Sequence, residues 1–298
     1  MMKIKLTKQM RAINKFFKYI EFYYVGGCVR DSILDCVPND YDLITPLTPT
    51  QIEDYCKGNK KVLKTGRRYG TLSVMINNQQ TEITTFRNEI YDFKSRKPMV
   101  SYTTDIIKDL QRRDFTVNSL VCDKKGNVID HTESLQDLNL GILRAVGDAK
   151  KRFQEDPLRI LRAIRFKNKY GYIIDTMTEQ QLFNNVYELY RLSKERIISE
   201  IDKMFELDNT KALKCIMSMH RYGILTMLLP IYTYINEDTI EDWVGDNPDA
   251  GWKLLFDIIH DNIKHDGNHR YIIKDMANDF MLKYKFSNER RQNILEEL

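Results

Sequence analysis

About residue 150 the spacing of the apolar residues changes, and that change restricts the folds open to this chain. Ahead of it, "FYYVGG", "NDYDLIT", "GTLSVMIN", "TEITTF" and "NSLVCD" alternate or run in short apolar blocks, each predicting a strand. "TKQMRAINKFFKYI" places Met10, Ile13, Phe17 and Ile20 on one side of a helix, and "VRDSIL" and "QIEDYCK" read as further helices. Beyond it, "DPLRILRAIRFKNKY", "TEQQLFNNVYELYRL" and "KERIISEIDKMFEL" are helical in period, as is most of the remaining chain. The N-terminal half is therefore expected to be mixed α/β and the C-terminal half all α. With 298 residues, two or three units are expected. "RNEIYDFKSRKPMVSYTT" is polar and aperiodic and reads as a mobile loop.

Composition narrows the class without deciding it. A 42% hydrophobic and 30% charged chain has enough apolar residues for ordinary cores and the surface of a soluble protein. The net charge of +4 permits a nucleic-acid partner but does not demand one. Cys28, Cys36, Cys56, Cys122 and Cys215 are odd in number and contain no C-x-x-C pair, so free thiols in a reducing cytoplasm are expected. No apolar run is long enough to cross a bilayer, and the basic N-terminus lacks the apolar core of a signal peptide.

"DYDLIT" puts Asp40 and Asp42 two residues apart at the head of a strand. Residues at that spacing share a face, roughly 6.5–7 Å apart along the chain. Unpaired they repel, whereas with Mg²⁺ between them the repulsion becomes chelation. Two such ions can activate a hydroxyl and stabilise a leaving pyrophosphate. Glu82 in "TEITTF" is the candidate third carboxylate. By itself the pair reads more readily as an exposed strand end with solvated acids, since short acidic pairs are common. The preceding "YYVGGCVRD" favours chemistry: Gly26 and Gly27 separate a strand from a helix start, where a bare backbone and free N–H groups suit a phosphate. Arg30 comes next, in the first turn, placed for a triphosphate oxygen.

Together "VGGCVRDSILDCVPNDYDLIT", "RRDFTVNSL", "GILRAVGDAKKRFQEDPLRILRAIRF" and "LSKERIISEI" resemble, in order, four motifs of the class II tRNA nucleotidyltransferase (CCA-adding) and bacterial poly(A) polymerase family. The resemblance implies a polymerase-β-like nucleotidyltransferase head with a mixed sheet over residues 1–145. An all-α neck over 146–210 and a helical body with a short tail over 211–298 would complete the chain. It implies metal binding by Asp40 and Asp42, nucleotide binding by Gly27 and Arg30, and a grip on the nucleotide by Arg113, with Asp114 near the ribose. The implied activity is addition of CCA to the 3′ acceptor end of tRNA from CTP and ATP, with Mg²⁺ and release of pyrophosphate. A partial enzyme adding only CC or only A, a poly(A) polymerase, and a catalytically silent RNA-binding protein are the alternatives. Asp35 stands where the family commonly has glycine, and His131 and Ser134 where it often has proline and glycine.

"EDPLRILRAIRF" suggests how bases could be chosen without a template. Asp156, Arg159, Arg162 and Arg165 recur every three residues, a slanting helical stripe with steps of about 4.5 Å, opposite Ile160, Leu161 and Ile164. Few acids lie nearby in sequence, so an external anion or polar ligand is expected as partner. Cytosine and adenine present an amino donor beside a ring-nitrogen acceptor. A carboxylate accepts from the first and a guanidinium donates to the second, whereas uracil and guanine reverse that order. Asp156 with Arg159 could thus admit C and A, matching the role the family gives its EDxxR motif, with Arg162 and Arg165 assisting. The rival reading is an N-cap before Pro157 and a solvated basic face.

Three features are secondary. The 87–104 stretch resembles the loop that, in complete CCA-adding enzymes, helps the switch from C to A; an ordinary surface hairpin is the alternative. "HDNIKHDGNH" has histidines five apart at His260 and His265, which suits a polar helix end better than a metal site. "KERII" reads as a helix start bracing the neck, while "NHRYIIKDM" and "LKYKFSNERR" intersperse tyrosine with basic residues, compatible with phosphate contacts.

Overall fold

The structure is a computed structural model, and it describes residues 2–58, 62–91, 99–229, 247–263 and 270–298. The chain divides into two compact units, Met1–Arg152 and Phe153–Leu298. Helix α6 (Ala149–Glu155) carries the division.

The first unit is built on a seven-stranded sheet in the order β3-β4-β5-β2-β1-β8-β9. Its strands are β1 (Tyr23–Val25), β2 (Tyr41–Thr45), β3 (Val62–Leu63), β4 (Thr71–Ile76), β5 (Gln79–Thr85), β8 (Val121–Cys122) and β9 (Val128–Ile129). Each strand expected from the sequence is present. The pairing of β2 with β5 is parallel and the others are antiparallel, so the sheet is mixed. Alternation sets the core face: Leu72, Val74 and Ile76 of β4 and Thr81, Ile83 and Thr85 of β5 are buried. Val25, Ile44, Phe86, Leu110 and Val121 pack together as one apolar cluster.

Helix α1 (Lys8–Phe16) starts where the Thr7 hydroxyl accepts from Met10 N at 3.1 Å, and it buries Met10 and Ile13. Phe17, just past its end, is fully buried against Phe22 and Tyr55. Helix α2 (Gly27–Ile33) begins directly after β1. Helix α3 (Pro49–Tyr55) opens with a capping box of Thr48 and Gln51 and a proline in its first turn.

The stretch expected to be a loop contains a two-stranded ribbon instead. β6 (Arg87–Ile90) pairs antiparallel with β7 (Met99–Tyr102), Arg87 opposite Tyr102 and Ile90 opposite Met99. The residues joining them, 92–98, lie outside the described residues. The ribbon hid from the hydrophobic pattern because its inward-pointing side chains are charged. The Arg87 side chain pairs with Glu89, Glu89 accepts from Arg112 just past the end of α4 (Ile106–Gln111), and the Arg87 backbone N–H donates to Asp109 within that helix. Helix α5 (Ser134–Leu140) completes the unit.

The second unit is helical among its described residues, apart from one short strand at Ile173–Ile174: α7 (Leu158–Tyr170), α8 (Thr176–Asn185), α9 (Lys194–Phe205), α10 (Asn209–Arg221), α11 (Ile224–Leu228), α12 (Pro248–Ile263), α13 (Arg270–Lys283) and α14 (Asn288–Glu297). Ile160, Leu161 and Ile164 of α7 are fully buried, as their spacing required. Trp252 anchors a second core, with Phe205, Phe280 and Phe286 rings at 5.3, 5.4 and 5.3 Å. Its indole N–H donates to Asp202 Oδ1 at 2.8 Å; Arg290 donates to the same carboxylate and to Asp249, tying α14 to α9 and α12. The side chains of the His260–His269 stretch lie outside the described residues. Among the described residues no helix is long and apolar enough to cross a membrane.

Candidate active site

Strand register brings the acids and the glycines to one end of the sheet. Val25 lies opposite Asp42 in the antiparallel β1–β2 pair, so the chain leaves β1 into Gly26 and Gly27 beside the start of β2. Asp40 and Asp42 are exposed on either side of buried Tyr41, the alternation that aims both carboxylates outward. Asp42 is in register with Glu82 on β5, which puts the candidate third carboxylate on the same face. Glu82 is half-buried and accepts from Gln80 Nε2 at 3.3 Å. Among the described residues no group of three His, Cys, Asp or Glu side chains is gathered to hold a metal. The exposed, same-face pair of hard oxygen donors does fit a divalent cation such as Mg²⁺. Behind it, the Cys28 thiol donates to Val25 O at 3.3 Å and Asp42 O at 3.8 Å. Burial first, and the Asp42 charge second, push that thiol up to about 12, so it stays neutral.

Gly26 has φ +72° and ψ −129°, a backbone conformation for which glycine is suited. Its N–H donates to Leu120 O at 3.1 Å. A Cβ on Gly26 would sit 3.3 Å from Arg113 Nη1 and 3.5 Å from Asn118 O, so this turn and the RRDFT segment face one another closely. Arg113 donates to Asn118 O at 3.4 Å and pairs with Asp109 at 3.3 Å, while its Nε is buried with no hydrogen-bond partner among the described residues. Asp114 accepts from Phe115 N at 2.8 Å and Asn118 Nδ2 at 3.1 Å. Arg30, expected to reach a triphosphate, is 4% exposed and donates to Asn118 and to Asp31. Asn118 thus joins Arg30, Arg113 and Asp114 and orders the floor beneath Gly26. Sequence reasoning passed over it, although it stands within "RRDFTVN".

On α7 the expected pair is engaged with other residues. Asp156 lies just ahead of the helix, whose N-cap is Pro157 and not Asp156; it accepts from Leu158 N at 3.2 Å, two residues on, and from Arg196 Nη2 at 2.9 Å. Arg159, buried, donates to Glu155 Oε2 at 3.0 Å. Arg165 pairs with Glu200, which is 2% exposed on α9. Arg162 lies over the Phe166 ring at 5.0 Å. The expectation that the arginine stripe has few acids to meet is corrected for two of its members. Glu155 comes from one turn back and Glu200 from a neighbouring helix. Arg196, from the "KERII" helix start, is a candidate site residue that sequence reasoning assigned only a bracing role.

Comparison with known proteins gives this geometry its context. The "Poly A polymerase head domain" family matches residues 22–144, and "Probable RNA and SrmB- binding site of polymerase A" matches residues 171–235. Two successive segments of the chain thus belong to the poly(A) polymerase family, its head domain and its RNA-binding segment. Among its relatives, the CCA-adding enzyme of Lactobacillus johnsonii is 41% identical over 186 residues, covering 62% of this chain and 46% of that one. The CCA-adding enzyme of Staphylococcus haemolyticus is 39% identical over 190 residues, covering 63% and 47%. The chain therefore spans about half the length of the curated CCA-adding relatives it matches. In fold it resembles the Bacillus stearothermophilus CCA-adding enzyme in complex with CTP, with a TM-score of 0.75 at 24% identity over 98% of this chain and 71% of that one. The Thermotoga maritima CCA-adding enzyme complexed with tRNA gives 0.68 at 23% identity over 99% and 73%.

Proposed function

We propose that the chain is a template-independent tRNA nucleotidyltransferase that adds CMP, CMP and AMP from CTP and ATP to the 3′ acceptor end of tRNA, releasing pyrophosphate. The observation that carries this reading is that Asp40 and Asp42 lie at the sheet end where the Gly26–Gly27 turn begins and Gly26 meets Arg113. Related chains named CCA-adding enzymes support the substrate class.

Asp40 and Asp42 would hold Mg²⁺, which when bound neutralises phosphate charge and lowers the pKa of the attacking 3′-hydroxyl. Gly26 and Gly27 leave the backbone bare for the triphosphate. Arg113 donates to it, with Asp114 and Asn118 fixing the turn, while Arg30 supports from below. Asp156 and Arg159 would read the base edge, which requires Arg159 to turn from Glu155 and Asp156 to share its carboxylate with Arg196. The head, neck, body and short tail then correspond to residues 1–145, 146–210 and 211–298, and residues of the last two parts would hold tRNA. A reducing cytoplasm suits five free cysteines.

The test incubates the protein with tRNA lacking its 3′ end, Mg²⁺ and each labelled nucleotide in turn. C and A incorporation is expected. Addition of C alone or A alone selects a partial enzyme, long A tails select a poly(A) polymerase, and no incorporation with tRNA still bound selects a silent binder.

A further inference from the structure

A chain of buried charges runs from the ribbon to the glycine turn. Arg87 Nη2 meets Glu89 Oε1 at 2.8 Å, and Arg112 Nη1 meets the same oxygen at 2.9 Å. Arg112 Nη2 reaches Asp109 Oδ1 at 2.7 Å, and Arg113 Nη2 reaches Asp109 Oδ2 at 3.3 Å. The Asp109 side chain is 0% exposed and that of Glu89 6%. The ribbon backbone joins directly, since Arg87 N donates to Asp109 Oδ1 at 3.2 Å. Taking two carboxylates out of water costs several kcal/mol each, which their pairing offsets only in part, so this is an expensive way merely to anchor a hairpin.

Charge is not balanced within the set. Three guanidiniums meet two carboxylates, leaving one unit of positive charge. The excess falls at Arg113: it shares Asp109 with Arg112, its contact is the longest of the four, and its Nε has no hydrogen-bond partner among the described residues. Arg113 is also the member that faces Gly26. The incompletely neutralised end of the ladder therefore points to where an anion would complete it.

We infer that Glu89 and Asp109 are positioning residues for the nucleotide: Asp109 directly, and Glu89 through Arg112, hold Arg113 against the glycine turn, which links triphosphate binding to the state of the β6–β7 ribbon. This rests on the nucleotide-transfer reading above. Removing the Glu89 charge leaves Arg112 with Asp109 alone. Arg112 then competes for both oxygens, and Arg113 loses its anchor.

The experiment measures CTP addition to tRNA by the full chain, its Glu89→Gln and Arg113→Ala variants, and the double variant. Expected is a KM for CTP raised roughly tenfold by Glu89→Gln, about the worth of one charge-assisted hydrogen bond, with kcat changed less than about twofold. In the Arg113→Ala background the same substitution should leave KM unchanged, because its effect passes through Arg113. Equal effects in both backgrounds, or none in either, overturn the inference while leaving the nucleotidyltransferase reading intact. An Arg113→Ala variant with wild-type KM removes Arg113 from nucleotide binding, and the inference with it. Hydrogen exchange on the unmodified chain decides the matter if Glu89→Gln does not fold. CTP should slow the amides of Arg87, Asn88 and Glu89 at least about threefold, and unchanged rates overturn the linkage.

Discussion

Asp156 accepts from Arg196 at 2.9 Å, while Arg159, one turn along, donates to Glu155 at 3.0 Å. The two residues proposed to read the base edge are thus each held by a partner of opposite charge. Leu158 N and Arg196 each occupy one oxygen of that carboxylate, and the second lone pair of each oxygen stays available to an amino group, so by fixing the carboxylate Arg196 should sharpen base choice. Asp156→Ala and Arg159→Ala should reduce discrimination of CTP over UTP by about tenfold or more while some transfer persists. Arg196→Ala should give a smaller loss in the same direction. Competition assays with mixed nucleotides measure each ratio, and unchanged ratios in all three would refute base-edge reading by this pair.

The two glycines of the turn should behave differently. Gly26→Ala forces a side chain into φ +72°, ψ −129°, and presses on Arg113. A stability loss of about 1–3 kcal/mol is expected, with weakened CTP binding. Gly27 begins α2, and a Cβ there would meet Arg30 Nη2 at an ordinary 3.5 Å. Gly27→Ala should leave the denaturation midpoint unchanged or raised, yet raise the KM for CTP and ATP by obstructing the phosphate. Paired denaturation and kinetic measurements separate the two effects.

Acid should weaken the first unit through Asp109 and Glu89. Burial alone would raise both carboxyls, but Arg113 and Arg112 hold Asp109, and Arg112 and Arg87 hold Glu89, below the usual carboxylate range. A folded-state pKa below the unfolded one means that the stabilisation is complete above about pH 4 and is lost as pH falls through the folded values. Asp109→Asn should cost about 3 kcal/mol at neutral pH by leaving the largely buried Arg113 guanidinium without its carboxylate and Arg112 with Glu89 alone. The gap from wild type should narrow toward pH 3, as read by denaturant midpoints across that range.

Thiol chemistry gives an independent check on burial. Cys28, Cys56, Cys122 and Cys215 are buried and Cys36 is exposed. Burial pushes the Cys28, Cys122 and Cys215 thiols up to about 12 and Cys56 up to about 11, so they carry almost no thiolate at pH 8. A water-soluble alkylating reagent should modify Cys36 alone in the folded chain and all five cysteines in denaturant, which peptide mass spectrometry resolves.

Whether a feature was legible in the sequence depended on where each side chain's partner lies. Asp40, Asp42, Gly26 and Gly27 were legible because strand alternation and a strand–glycine–helix junction are local properties. Ile160, Leu161 and Ile164 were legible through helical spacing. The ribbon at Arg87–Ile90 was not, because its inward side chains are charged and are satisfied by one another and by Arg112, with Asp109 taking the Arg87 backbone N–H, which no periodicity announces. The buried pairing of Arg165 depends on Glu200, contributed by another helix, and so could not be read from the arginine stripe itself. Arg30 shows the converse: its position beside the glycines suggested a ligand contact, whereas the structure turns it inward to Asn118 and Asp31.

The most direct test of carboxylate-held metal chemistry is single-turnover transfer of labelled CMP from CTP to tRNA lacking its 3′ end, comparing wild type with Asp42→Asn. The variant removes one charge at an exposed strand position, and its fold is checked by its denaturation midpoint. Expected is Mg²⁺-dependent addition by the wild-type chain and a fall of about 10³-fold in the variant, corresponding to about 4 kcal/mol of lost transition-state stabilisation. A folded Asp42→Asn protein that transfers CMP at the wild-type rate would contradict it.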